Sequence, residues 1–270
     1  MSGRVLPIGD DGPWTGGAVT SIATCVLAPN PSPWTLDGTN TWVIRDGGHA
    51  VIVDPGPDDA SHLAAIRAAI EGARVSDVLL THGHIDHAQS AVALARALGV
   101  GVRALDPAQR LGAEGLADGD VVRVGEASVR VVGTPGHSAD SLSFIVDADG
   151  SLLTGDTVLG RGTTLVAWPD GRLDDYFSSL ARLADVVRDV PIARILPGHG
   201  PTVDDPRGTL EHYVAHRRER LEQVRDAVAR GLIDAPSIVA DVYADVPREV
   251  WPAAEVTVQA QLEYLGLPAQ

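Results

Sequence analysis

His82, His84, Asp86 and His87 fall within six residues, in the order H-x-H-x-D-H, directly after the apolar run Val78–Leu80. Three imidazoles and a carboxylate at this spacing are metal-binding groups. In extended backbone, side chains i and i+2 project the same way, so His82 and His84 can grip one ion from the mouth of a strand. Asp86 and His87 follow where the chain should turn into a helix, and they are free to face a second ion. Further candidates stand at the ends of later strand-like runs, each just after a glycine: Gly136-His137, Gly155-Asp156 and Gly198-His199. Glycine's small size and permissive backbone let a short turn bring a ligand close to a metal. Alone, His137 or His199 reads as an ordinary turn histidine; four such signals in succession outweigh that reading.

In this order the motifs resemble those of the metallo-β-lactamase-fold hydrolases: H-x-H-x-D-H, a glycine-flanked histidine, a G-D aspartate and a P-G-H-G histidine. The resemblance implies two Zn2+ per chain, one held by His82, His84 and His137 and the other by Asp86, His87 and His199. Asp156 would bridge both, and Asp86 and Asp156 would be the carboxylates of the catalytic centre. Gln89-Ser90 departs from a glycine pair common in the family, which touches the start of a helix and not ligation. The segments 30–41 and 160–164 look like the β-lactamase-like protein 2 branch, whose animal members are single-strand-preferring endoribonucleases. In such a site two Zn2+ bring four positive charges, and two carboxylates with a bridging hydroxide remove three. The single net positive charge lowers the pKa of bound water to about 7, suiting attack on a phosphodiester or a carbonyl.

Composition sets the frame. At 270 residues and 44% hydrophobic, the chain can bury a full core, which excludes a disordered protein. It divides into a catalytic core over 1–205, a long connecting helix over 206–230 and a small helical module over 231–270. No basic, then apolar leader follows Met1, and no run reaches transmembrane length, so a cytoplasmic setting without membrane contact is expected. Cys25 is the only cysteine; it permits no disulfide and lies in an apolar stretch, as a buried core thiol would.

The formal charge of −15 opposes a polyanion, and every basic side chain is arginine. Capture of a short single-stranded RNA would therefore have to be local, through the metals and Arg161, Arg217, Arg218 and Arg220. The last three form the densest basic cluster, on the predicted helix Pro206–Gly231, where a solvated face paired with Glu219 and Glu222 is the plainer reading. His212 and His216, at i and i+4, are a weaker candidate for another metal site.

These residues need elements to place them. Strands are expected over Ala18–Leu27, Thr41–Arg45, Ala50–Val53, Val75–Leu80, Val121–Val124, Ser128–Val132, Leu142–Val146, Leu152–Thr154 and Arg194–Leu196. Helices are expected over Asp59–Glu71, Ala88–Leu98 and Asp174–Asp189. Strands with helices outside suit an α/β, four-layer αββα sandwich, which the resemblance also implies. Asp54 ends a strand where its carboxylate would orient a ligand histidine or cap a turn. Asn40 and Thr41 carry no assignable chemistry.

Beyond Gly231, Asp234–Tyr243 and Trp251–Leu265 read as two helices. They resemble the branch's winged-helix region without its wing. Arg248 stands there against six acidic residues, so the module suits packing or a homodimer contact rather than nucleic acid. The expectation is a dinuclear zinc hydrolase acting through a metal-bridging hydroxide on single-stranded RNA or a small molecule. A glyoxalase-II-like thioesterase and a mononuclear iron persulfide oxygenase are the alternatives.

Overall fold

A computed structural model describes residues 12–112 and 114–269, so the Met1–Pro7 segment read above lies outside the described residues. Two mixed sheets stack face to face. The first runs in the order of the chain: β1 (Gly17–Ala18), β2 (Ala23–Leu27), β3 (Asn40–Asp46), β4 (His49–Val53), β5 (Arg74–Leu79) and β6 (Gly101–Arg103). The second comprises β7 (Val121–Val124), β8 (Ala127–Gly133), β9 (Leu142–Val146), β10 (Ser151–Gly155) and β11 (Arg194–Pro197), in spatial order β11-β10-β9-β8-β7.

The period-2 alternation of the strands builds three layers of apolar contact. Trp42 and Ile44 of β3 meet Leu142, Phe144 and Val146 of β9 between the sheets. Val43, one residue out of phase, packs outward with the helices α1 (Ala60–Ala69) and α3 (Ala91–Leu98). Ile145 of β9 points the other way, toward α4 (Leu173–Asp189) and α5 (Pro206–Ala229). The result is the expected αββα sandwich.

Three elements differ from expectation. Ala18–Leu27 is broken because the Thr20 hydroxyl accepts the Ile22 and Ala23 amides, turning the chain before β2. β6 is an unforeseen short strand, parallel to β5. The helix expected over Ala88–Leu98 is two, α2 (Ile85–Ala88) and α3, because Ser90 is tied to the Pro55–Gly56 turn: its hydroxyl donates to Pro55 O and its amide to Gly56 O.

On α5 the buried positions Leu210, Tyr213, Arg217, Leu221 and Val224 recur at helical spacing. Its first half packs on the second sheet, while Val224 and Ala227 join α6 (Ala235–Val242) and α7 (Trp251–Tyr264) around a small apolar cluster of their own. No strand follows α7 among the described residues, and no helix is long and apolar enough to cross a membrane.

Candidate metal centre

All seven expected ligands converge at one edge of the sandwich, where β5, β8, β10 and β11 end. The polar nitrogens and oxygens crowd together at distances that hydrogen bonds alone do not fully satisfy. His84 Nδ1 lies 3.0 Å from both His82 Nε2 and His137 Nε2, and one proton cannot serve three ring nitrogens. Nearby, His87 Nε2 is 3.2 Å from His199 Nε2, which is 3.2 Å from Asp86 Oδ2 and 3.3 Å from Asp156 Oδ2. Asp156 Oδ1 is buried with no hydrogen-bond partner. Two ligands about 2.0–2.1 Å from one tetrahedral ion stand about 3.3 Å apart, so these separations are those of groups sharing ions. Two trios satisfy this geometry, His82-His84-His137 and Asp86-His87-His199, with Asp156 reaching both His137, at 3.7 Å, and His199.

The outer ring nitrogens of His82, His87, His137 and His199 are engaged, so each can carry its proton outward and offer its inward nitrogen to an ion. His137 Nδ1 donates to Leu165 O at 2.7 Å, and His199 Nδ1 to Gly38 O at 3.2 Å. Thr81 Oγ1 donates to Asp54 Oδ2 at 2.6 Å and so accepts from His82 Nδ1 at 3.0 Å. His87 Nδ1 donates to the same Asp54 oxygen at 2.9 Å. Asp54, His82 and His87 could also be grouped as a third metal trio. We reject that grouping because Asp54 already accepts from Thr81 N, Thr81 Oγ1 and His87, and those ring nitrogens face away from the centre. Asp54 therefore positions ligands. Its own φ of +51° is costly for a non-glycine residue, and those three accepted bonds hold it there.

Charge separates the trios. Burial, helped by the neighbouring imidazoles, pulls His82 well below the usual histidine range, and burial lowers His137. At the other trio burial pulls the same way, but the carboxylates together outweigh it: Asp156 and Asp54 hold His87 well above that range, and Asp156 and Asp86 hold His199 up at about 9. The carboxylates respond in kind: burial would raise them, yet the hydrogen bond from His199 takes Asp86 to about 2, and the charges of His199 and His87 hold Asp156 well below its usual range.

The glycines earn their place through space. A Cβ on Gly198 would stand 2.4 Å from Asp156 Oδ1 and 2.8 Å from the His87 ring. One on Gly155, whose φ is +47°, would meet the Thr81 hydroxyl at 2.6 Å.

A cavity of about 460 Å3 opens from the centre, bordered by His84, Asp86, His137, Asp156 and His199. Its remaining walls are largely apolar: Trp34 and Leu36 from one loop, Leu159 from another, and Val246, Val250 and Ala254 from the C-terminal module. Arg161, Arg217 and Arg220 reach it, whereas Arg218 is exposed and does not line it, because a 100° helical step turns neighbours apart. Arg161 is paired with Asp37 at 2.5 Å, and Arg220 donates to Gln223 and to Val242 O. His212 and His216 stack on one another with no third ligand beside them among the described residues.

Several contributors escaped sequence reading. Thr81 and the Thr164–Leu165 backbone orient histidines. Asn40 clamps the His199 loop, donating from Nδ2 to Pro197 O at 2.9 Å and Gly200 O at 2.8 Å. Asn40 and Thr164 fall in the segments 30–41 and 160–164 that carry the branch resemblance, but nothing in the sequence gave them a role.

Comparison with known proteins agrees with this geometry. Residues 34–199 match the model of the metallo-beta-lactamase superfamily, and residues 235–266 match the beta-lactamase associated winged helix domain. A beta-lactamase-like protein 2 homolog of Drosophila melanogaster is 30% identical, over 92% of this chain and 88% of its own. An atrochrysone carboxyl ACP thioesterase of Aspergillus fumigatus is 34% identical, over 74% of this chain and 62% of its own. The crystal structure of a beta-lactamase domain protein from Burkholderia ambifaria superposes with a TM-score of 0.79 at 26% identity, covering 97% and 91% of the two chains. With the ligand motifs, the sandwich and the helical appendage all matched, the chain belongs to the metallo-β-lactamase superfamily, whose members are typically metal-dependent hydrolases.

Proposed function

We propose that the chain is a dinuclear zinc hydrolase of a thioester whose acyl group is largely apolar. The observation that carries this is the cavity: the ligand cluster opens onto walls of tryptophan, leucine, valine and alanine contributed by both ends of the chain. Such walls bind an acyl chain and exclude water. The arginines that single-stranded RNA would need are largely committed within the protein, Arg161 to Asp37 and Arg220 to Gln223 and Val242.

Bound at the two trios, zinc would polarise the carbonyl and lower the pKa of a coordinated water to about 7. The chain's part is positional. His82, His84 and His137 would hold one ion, Asp54 fixes His82 through Thr81 and His87 directly, and Asn40 fixes the His199 loop. A thiol leaving group, with a pKa of about 8.5, departs as the thiolate without a protein acid.

The test is to assay zinc-loaded protein side by side on a hexanoyl thioester, a short single-stranded RNA and an activated phosphodiester. A thioester kcat/KM at least about a hundredfold above the others supports the proposal, a margin that pocket complementarity can supply. Faster cleavage of RNA would restore the endoribonuclease reading. One iron and no zinc, in protein produced with both metals available, would favour the oxygenase.

A further inference from the structure

Arg217 occupies a position where α5 otherwise buries apolar side chains, between Tyr213 and Leu221 in the stripe that packs on the second sheet. It is 3% exposed. No carboxylate lies within ion-pair distance of it among the described residues, in contrast to Arg161 and its Asp37. The guanidinium stacks over the Tyr176 ring, 5.1 Å from its centroid, and donates one hydrogen bond to Thr164 O, while Nε has no acceptor. A cation desolvated this thoroughly without a counter-charge costs several kcal/mol, which one carbonyl and one ring face do not offset. Arg217 also forms part of the cavity wall, beside Thr164, whose hydroxyl is 3.3 Å from the ligand His137.

Resting on the hydrolase reading above, we propose that Arg217 is the receptor for a single oxyanion on the substrate, a carboxylate or a phosphate monoester, which supplies the missing counter-charge. The planar guanidinium suits either group. With Arg161 paired to Asp37 and Arg220 bonded to Gln223 and Val242, the one buried arginine left accommodates one anionic group on a small molecule. It does not track a polymer of phosphates.

The two sources of the anion are separated by paired thioesters. On the acyl side, adipoyl-N-acetylcysteamine, with its terminal carboxylate, is compared with hexanoyl-N-acetylcysteamine. On the leaving-group side, hexanoyl-phosphopantetheine is compared with hexanoyl-pantetheine. Zinc-loaded wild-type protein should favour the charged member of one pair by about ten- to a hundredfold in kcat/KM, the range of a charged hydrogen bond. Arg217→Met should collapse that ratio toward one while keeping the melting temperature, since an unpaired buried charge gives way to an apolar chain of similar length. If Arg217→Met fails to fold, Arg217→Lys decides: a reduced ratio supports the receptor and an unchanged one overturns it. Equal kcat/KM within both pairs, or a preference that survives in Arg217→Met, also overturns it. Calorimetric titration of adipate against hexanoate, and of phosphopantetheine against pantetheine, repeats the comparison without turnover. Discrimination there, lost in Arg217→Met, in a protein that hydrolyses no thioester would leave the receptor standing and the thioesterase reading fallen. Hydrolysis without discrimination in either measurement would do the reverse.

Discussion

The two sides of the candidate centre are built on opposite principles. On the ligand side nearly every polar atom is spoken for. Asp54 alone accepts three bonds at 2.6–2.9 Å, and the outer nitrogens of four histidines have oxygen partners. On the cavity side the walls are mostly apolar, and the buried guanidinium of Arg217 stands without a carboxylate. A saturated network rigidifies whatever it holds, and a wall with little internal bonding leaves its recognition to be completed by a ligand. Chemistry and selectivity are thus housed in regions that tolerate change differently.

The hardest way to break this division is Asp156→Ala, which removes the carboxylate placed between both trios. Turnover should fall by orders of magnitude and metal content should drop below two per chain by elemental analysis. Retention of more than about a tenth of wild-type turnover would refute the bridging role, given that even groups behind the ligands are commonly worth ten- to a hundredfold. Asp54→Ala should follow, with metal affinity weaker by about ten- to a hundredfold and a stability loss of about 1–3 kcal/mol by denaturant titration, because Thr81 and His87 are left with unpaired buried groups. A variant that binds metal normally would show that the network is ornamental.

Changes on the other side should leave the metals alone. Val250→Trp narrows the cavity, so KM for a hexanoyl thioester should rise by about tenfold while metal content and the KM for an acetyl thioester stay near wild type. Equal effects on both substrates would place the acyl chain elsewhere. The smallest expected effect is that of Arg218→Ala, whose side chain is exposed and outside the cavity: stability should stay within about 0.5 kcal/mol and KM should not move.

This contrast also explains what the sequence disclosed. The ligands were legible because the chemistry is written locally: i and i+2 on a strand end, or a glycine and then a ligand at a turn. The sandwich was legible because its strands are short apolar runs set between turn residues. Neither rule reaches the cavity. The spacing of α6 and α7 predicts two helices, yet where they dock depends on how α5 carries them back over the sheet edge. The run Arg217-Arg218-Glu219-Arg220 reads as one basic cluster, and only the packed helix shows that the first is buried and the second exposed. The role of Asn40 gave no sign either, because its partners lie in the Pro197–Gly200 turn, more than half the chain away.

Asn40 has two more neighbours. Its Oδ1 accepts from Trp14 and from the thiol of Cys25, and burial pushes that thiol's pKa up to about 12. At neutral pH the sole cysteine is thus silent to alkylating reagents while β2 and β3 stay paired. With no lysine in the sequence either, the chain offers little background to side-chain labelling. The slow rate at which Cys25 does react would count the moments when the strand holding Asn40 comes loose, a clock for local opening beside the His199 loop that needs no substrate.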